Sequence, residues 1–329
     1  MLLEQFRPVR AEGRLGSWIP KMLLAAERAT NTGSKSSAIW TWVAVVVGGA
    51  LISWLVVGLL TRLNFLLGFV AMVGVLYLTM GFRQFSNRFT EIQLALSAND
   101  LDRARQELRN WADYAGGDTM TDIAAKEGDA SDISRETIRL ALVAAQRHVF
   151  GVIFWFVLLP GPAGAVLYRL SAEARRVWAD SRAAQSQEAP SAFGEIALRA
   201  FSWIDWFPVR VTAIVFAIVG NFEDSILMWR AKSGFAPHAN DTERVLLSAG
   251  AGAMGIRLSV PDAFSASIQP EEPAETEALG GAWPSPSQDM PLLREADDST
   301  LRSAVGLVWR AIILWIALVF LVSMGHWLG

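Results

Sequence analysis

The chain has 329 residues, 52% hydrophobic and 19% charged, which is too apolar for an ordinary soluble enzyme and too charged for a protein held wholly inside a bilayer. The absence of cysteine excludes disulfides, zinc fingers, iron–sulfur ligation and thiol catalysis. A formal net charge of -3 without a basic stripe points away from nucleic acid as a partner.

Two charge-free apolar runs, 39–60 and 63–82, are joined by Thr61 and Arg62. At about 1.5 Å per residue each matches the roughly 30 Å hydrocarbon core of a bilayer, so they are predicted to form a transmembrane hairpin. The lipid bilayer is therefore the first partner. Residues 1–38 lack the apolar core and cleavage site of a signal peptide, and the first membrane helix is expected to be retained as an anchor. Arg7, Arg10, Arg14, Lys21, Arg28 and Lys35 precede the hairpin, and Arg83 and Arg88 follow it. The positive-inside rule then puts the N-terminus in the cytoplasm and the turn outside.

Residues 83–147 read as a cytoplasmic helical arm. Asn99 and Asp100 stand where an N-cap and an acidic first turn belong, followed by an apolar stripe of Leu101, Ala104, Leu108 and Trp111. Asp102, Arg103, Arg105 and Glu107 lie off that stripe on a solvated face. Gly116, Gly117 and Asp118 break the helix, and another begins near Asp132 or Ser134 and runs through Ile138, Leu142 and Ala145 into the membrane.

Residues 148–229 are predicted to hold two broken membrane segments. The first, 149–170, is entered by Arg147 and His148, carries Pro160, Gly161, Pro162 and Gly164, and ends in Tyr168 and Arg169. The second, 203–222, is interrupted by Asp205, Pro208 and Arg210. Broken backbone at membrane depth is tolerated only under cover of protein or in a wet cavity, and ionisable residues there are costly. Two readings follow. Either the second helix starts at Val209, leaving Asp205 and Arg210 as interfacial caps beside Trp203 and Trp206, or Arg147, His148, Tyr168, Arg169, Asp205 and Arg210 share one polar membrane cavity, with Asp205 countering Arg210 or Arg147. Arg175, Arg176, Arg182 and Arg199 connect the segments, and the positive-inside rule would hold that connection in the cytoplasm. A full crossing at 149–170 would put it outside, so the segments either re-enter or leave an external loop.

Residues 230–264 form a polar region with an Ala- and Gly-rich helix at 245–256, suited to close packing. Residues 265–298 read as a disordered acidic linker. Residues 299–329 form a C-terminal transmembrane helix, whose apolar run 305–328 ends with Trp327 as an interfacial aromatic. The fold class is all-α: a polytopic helical membrane protein of about four or five membrane segments, some broken, with cytoplasmic helical arms. His148, His238 and His326 are far apart and lack partners at metal-ligand spacing, and Gly250 to Gly255 has neither the strand nor the Lys of a phosphate loop. No catalytic residue, metal or cofactor is assigned.

Three groups of residues carry a family resemblance. They are Asn99 Asp100 Leu101 with Ala104 and Arg105; the block from Arg147 to Arg169 with Phe150, Phe154, Trp155 and Pro160 Gly161 Pro162 Ala163 Gly164; and Trp203 Ile204 Asp205 Trp206 Phe207 Pro208 Val209 Arg210 Val211 Thr212. They resemble the AmpE family of inner-membrane proteins associated with beta-lactamase regulation, itself distantly similar to the cobalamin-biosynthesis CbiB/CobD family. Similarity to CbiB/CobD is carried by Pro208, Arg210 and Thr212, by Gly252 Ala253 Met254 Gly255 Ile256 with Leu258, and by Thr300 Leu301 Arg302. The resemblance implies a multi-pass protein of a bacterial inner (plasma) membrane.

The CbiB/CobD synthases join an aminopropanol phosphate to adenosylcobyric acid using ATP. They carry a Glu, an Ala-Glu-Asn and an Asp before the third membrane segment and an Asn and Asp pair after it. Here those places read Leu140 to His148 and Arg169 Leu170 Ser171 Ala172 Glu173, and the Gly-Asp-Pro near the N-terminus is absent. With those magnesium-compatible side chains missing, the expectation is a non-enzymatic AmpE-type protein in envelope signalling or regulation, with a membrane or cytoplasmic protein partner. The alternative is a membrane-bound adenosylcobinamide-phosphate synthase-like protein with a divergent site, acting on a corrinoid or another amphiphilic ligand.

Overall fold

A computed structural model describes residues 15–80, 82–115, 119–180, 191–232, 241–258 and 293–328. In chain order its helices are α1 (Leu15–Thr30), α2 (Lys35–Leu63), α3 (Phe65–Thr79), α4 (Phe82–Ser97), α5 (Leu101–Ala115), α6 (Thr119–Glu127), α7 (Ala130–Leu158), α8 (Ala163–Arg175), α9 (Ala192–Val219), α10 (Phe222–Lys232), α11 (Asp241–Met254) and α12 (Asp298–Leu328). No strand occurs among the described residues, which hold one isolated parallel bridge between Ile256 and Arg294. Helices α2, α7, α9 and Asp298–Leu321 of α12 are long and apolar enough to cross a bilayer. The chain is an all-α, multi-pass membrane protein.

The second apolar run differs from its expected form. Thr61 and Arg62 lie in the last turn of α2, and the reversal falls at Asn64, whose side chain accepts the Leu66 N–H at 2.8 Å. Helix α3 then has only 15 residues, about 22 Å, which is short of the hydrocarbon thickness. The predicted linker at 265–298 lies outside the described residues up to 292, as do the break at Gly116 to Asp118, Arg182, His238 and the side chains of His326 and Trp327.

The chain divides into two compact units, Met1–Met80 with Gly151–Asp205, and Gly81–Phe150 with Trp206–Gly329. In the first, α2 pairs with α3, and α8 packs on both and on the end of α7. Pro160, Gly161 and Pro162 form the turn from α7 into α8 rather than a break in mid-helix. Gly161 has φ 66°, a left-handed conformation that glycine adopts without strain. Leu23, Val46, Leu170, Ala174, Trp178 and Phe193 make one buried core, and the Trp178 indole donates to the Leu23 carbonyl at 3.2 Å.

In the second unit, Asn99 closes α4 instead of capping the next helix. It is left-handed at φ 56°, and it and Asp100 donate their N–H groups back to Leu96 and Ala95. Asp100 is the cap, accepting the Arg103 N–H at 3.1 Å. Ala104, Leu108 and Trp111 are buried as the expected stripe. Helix α6, which periodicity did not anticipate, is closed by arginines of α5: Arg105 donates to the Gly128 carbonyl and Arg109 to the Ala125 carbonyl. Asp129 and Asp132 open α7 with a reciprocal capping box. The Ala- and Gly-rich stretch is α11, which lies on α10 so closely that a methyl at Gly252 would run into the backbone of Asp224 and Ser225.

That last contact is testable. Gly252→Ala should lower stability by about 1–3 kcal/mol, because the neighbouring atoms are backbone and yield little. Gly48→Ala in α2, where a methyl meets nothing within 4 Å, should be neutral or slightly stabilising. Thermal unfolding of both variants in detergent measures the contrast.

Candidate functional site

In the first unit, Tyr168 of α8 lies against Gly151, whose missing side chain leaves room for the phenol ring. The ring stacks at 5.6 Å on Phe201 and its hydroxyl donates to Asp205 Oδ1 at 2.8 Å. Tyr168 is fully buried and Asp205 is 5% exposed. Because α9 begins at Ala192, not Val209, Asp205 sits well inside a helix and does not cap it.

Pro208 does not interrupt α9. Lacking an N–H, it leaves the Ile204 carbonyl without its usual donor four residues on, and the Trp155 indole supplies one at 3.1 Å. A residue of α7 thus completes the backbone bonding of α9 next to Asp205.

Arg169 pairs with Glu173 at 2.6 Å, and Glu173 also accepts from Arg176 at 2.7 Å. Burial would raise the Glu173 pKa, but the guanidiniums of Arg169 and Arg176 together outweigh it and hold the carboxyl below the ordinary range. Arg175 lies 5.5 Å over the Phe201 ring.

In the second unit, Arg147 and His148 occupy a π-helical turn, Gln146–Phe150, and Arg147 pairs with Glu243 of α11 at 2.5 Å. Arg210 lies 3.8 Å over the Trp206 ring and donates to the Trp206 carbonyl at 3.0 Å. A buried network that the sequence did not suggest joins α6 to α7: Glu136 Oε2 accepts from Arg139 at 2.7 Å and from Thr121 at 3.1 Å, while Arg139 also donates to Thr121.

Of the six residues expected to act together, Tyr168 and Asp205 are in direct contact. Tyr168, Arg169 and Asp205 belong to the first unit, and Arg147, His148 and Arg210 to the second. Glu173, missed earlier, was legible as the residue four after Arg169 and three before Arg176. Glu243 carried no local signal, lying 96 positions from Arg147. Among the described residues no three His, Asp or Glu side chains gather to hold a metal. The Glu136, Glu173 and Glu243 carboxylates are bound by arginine and Asp205 by a tyrosine hydroxyl, a donor set that does not fit a protein-held magnesium ion.

The family model described as CobD/Cbib protein matches residues 3–280. The chain belongs to the CobD/CbiB family. It is 29% identical over 255 residues to a protein of Chromobacterium violaceum named cobalamin biosynthesis protein CobD, covering 77% of this chain and 70% of the relative. A protein of the same name in Stutzerimonas stutzeri is 28% identical over 253 residues, covering 76% and 75%, and one in Photorhabdus laumondii is 25% identical over 269, covering 78% and 76%. No solved structure gives a significant match.

These matches overturn the expectation of a non-enzymatic AmpE-type signalling or regulatory protein. That expectation gave a few acidic positions more weight than the order of residues along the chain. Similarity over residues 3–280 is the broader constraint, and it lies with the cobalamin-biosynthesis proteins.

The Pro208 arrangement predicts a specific coupling. Trp155→Phe removes the donor to Ile204 and should cost about 1 kcal/mol beyond lost packing. In a Pro208→Ala background the new N–H restores the helical bond, so that extra cost should vanish. A double-mutant cycle of unfolding free energies in detergent measures it.

Glu173 predicts a pH dependence. Its folded pKa is lowered, so its contribution is complete above about 4.5, the ordinary glutamate value, and is lost as pH falls through the folded value. Wild-type stability should therefore drop more steeply below that pH than that of Glu173→Gln, as followed by thermal unfolding across an acid series.

Proposed function

We propose that this chain is a membrane-bound cobalamin-biosynthesis protein of a bacterial inner membrane, acting as an adenosylcobinamide-phosphate synthase. The observation that carries the reading is similarity along 77% of the chain to a relative named cobalamin biosynthesis protein CobD. In this reaction the nitrogen of an aminopropanol phosphate forms an amide with a carboxyl of adenosylcobyric acid, and the carboxyl oxygen leaves on phosphate derived from ATP. The N-terminus is on the cytoplasmic side, as the cations before residue 39 favour, where ATP is available.

The chemistry-bearing residues are Tyr168, Arg169 and Asp205 in the first unit and Arg147, His148 and Arg210 in the second. Tyr168 fixes the Asp205 carboxylate, which suits it to hold the proton released by the attacking amine. Arg169 and Arg176 converge on Glu173, and guanidiniums gathered in this way suit a phosphate-bearing substrate. No role is given to a protein-held metal, and the bilayer setting suits an amphiphilic corrinoid.

Purified protein supplied with ATP, magnesium ions, aminopropanol phosphate and adenosylcobyric acid should yield adenosylcobinamide phosphate, detected by chromatography. Tyr168→Phe removes a hydrogen bond to a charged group, worth about 1.5–3 kcal/mol, and should slow turnover about tenfold or more while helicity is retained. Absence of product from folded wild-type protein would refute the reading.

A further inference from the structure

The first unit contains a cavity of about 330 Å³ that none of the polar residues above explains. Its walls include Trp54, Val57, Gly58 and Arg62 of α2, Met72 of α3, and Pro162 at the start of α8. We infer that this groove binds an anionic phospholipid, with the lipid phosphate on Arg62 and an acyl chain along the apolar wall below it. The inference is independent of the catalytic reading.

The first argument is position. Arg62 lies one residue from the end of a 29-residue apolar helix, the place where a cation reaches the headgroup layer. Trp54 is eight residues earlier, about 12 Å deeper along the helix axis. The groove therefore runs from headgroup level into hydrocarbon.

The second argument is charge. No acidic residue occurs between Glu27 and Glu91, or between Glu136 and Glu173, and these stretches supply every wall of the cavity. Arg62 is exposed and has no ion-pair partner among the described residues. A phosphate carrying net negative charge complements it, whereas a zwitterionic headgroup brings its own cation.

The third argument is the character of the walls. The Thr61 hydroxyl, also at the cavity, already donates to the Val57 carbonyl at 2.8 Å, so few polar groups remain to hold water. Gly58 has open space where a side chain would stand, and the volume is at the lower end of the ~300–1,000 Å³ of small-molecule pockets. An apolar chain fits such a wall.

Full-length protein would be reconstituted in nanodiscs of equimolar phosphatidylglycerol and phosphatidylcholine, extracted in mild detergent, and its retained lipid quantified by mass spectrometry. Helicity of each variant would be confirmed by circular dichroism. Wild type and Arg62→Lys should retain phosphatidylglycerol in preference. Arg62→Gln should reduce that preference about fivefold, the effect of one cation at a membrane surface. Gly58→Leu should fill the groove and lose both lipids. Undiminished preference in Arg62→Gln, undiminished lipid in Gly58→Leu, or a polypeptide retained in place of lipid would each overturn the inference.

Discussion

A charged group buried in a helix bundle is tolerated only when a partner is built beside it, and this constraint organises the polar interior of the chain. Glu136 is held by Arg139 and Thr121, which ties α6 to α7. Arg147 and Glu243 tie α7 to α11 within the same unit. In the other unit, Tyr168 and Asp205 tie α8 to α9. These contacts therefore specify which helices neighbour which, something that apolar burial alone cannot do, since one leucine-rich face packs on another almost interchangeably. Removing one member leaves a desolvated group without its counterpart, so each pair behaves as a unit in folding.

The backbone obeys the same rule. Pro208 would leave the Ile204 carbonyl without a donor, and the Trp155 indole answers it from a neighbouring element. Gly151 and Gly164 let α7 and α8 approach closely, since a methyl at either would overlap Tyr168 or the Trp155 backbone. The π-helical turn at Gln146–Phe150 shifts the facing of the residues that follow it, and Arg147 and His148 lie within it. Within the first unit, the Trp155 donor and the close approach that Gly151 and Gly164 allow thus set the surroundings of Tyr168 and Asp205 by geometry.

What was legible in the sequence was local. The apolar runs, the Ala104, Leu108 and Trp111 stripe, and the Gly-rich α11 all follow from spacing within a few turns. The shortness of α3 was not legible, because hydropathy does not mark where Asn64 and Thr79 end a helix. Asn99 was misplaced by one position because Asn suits both a left-handed C-terminus and an N-cap, and only the chain direction on each side decides. Tyr168, Arg169 and Asp205 were identifiable as costly polar residues in apolar surroundings. The partner of Arg147 was not, since no local rule links it to Glu243.

The family assignment shows the limit of arguing from missing motifs. The Asn and Asp pair and the acidic run sought around the third membrane segment are absent, yet Glu173 within the second of those places and Glu136, Asp205 and Glu243 outside them supply buried or partly buried carboxylates. Three of them are committed to arginines, so their charge is already used in holding the helices together. Asp205 accepts from the Tyr168 hydroxyl and lies three residues before Pro208, whose helix is completed by the Trp155 indole. The setting of Asp205 follows from the packing of α8 and α9, which brings the Tyr168 hydroxyl to its carboxylate, so no contiguous acidic motif is required to place it.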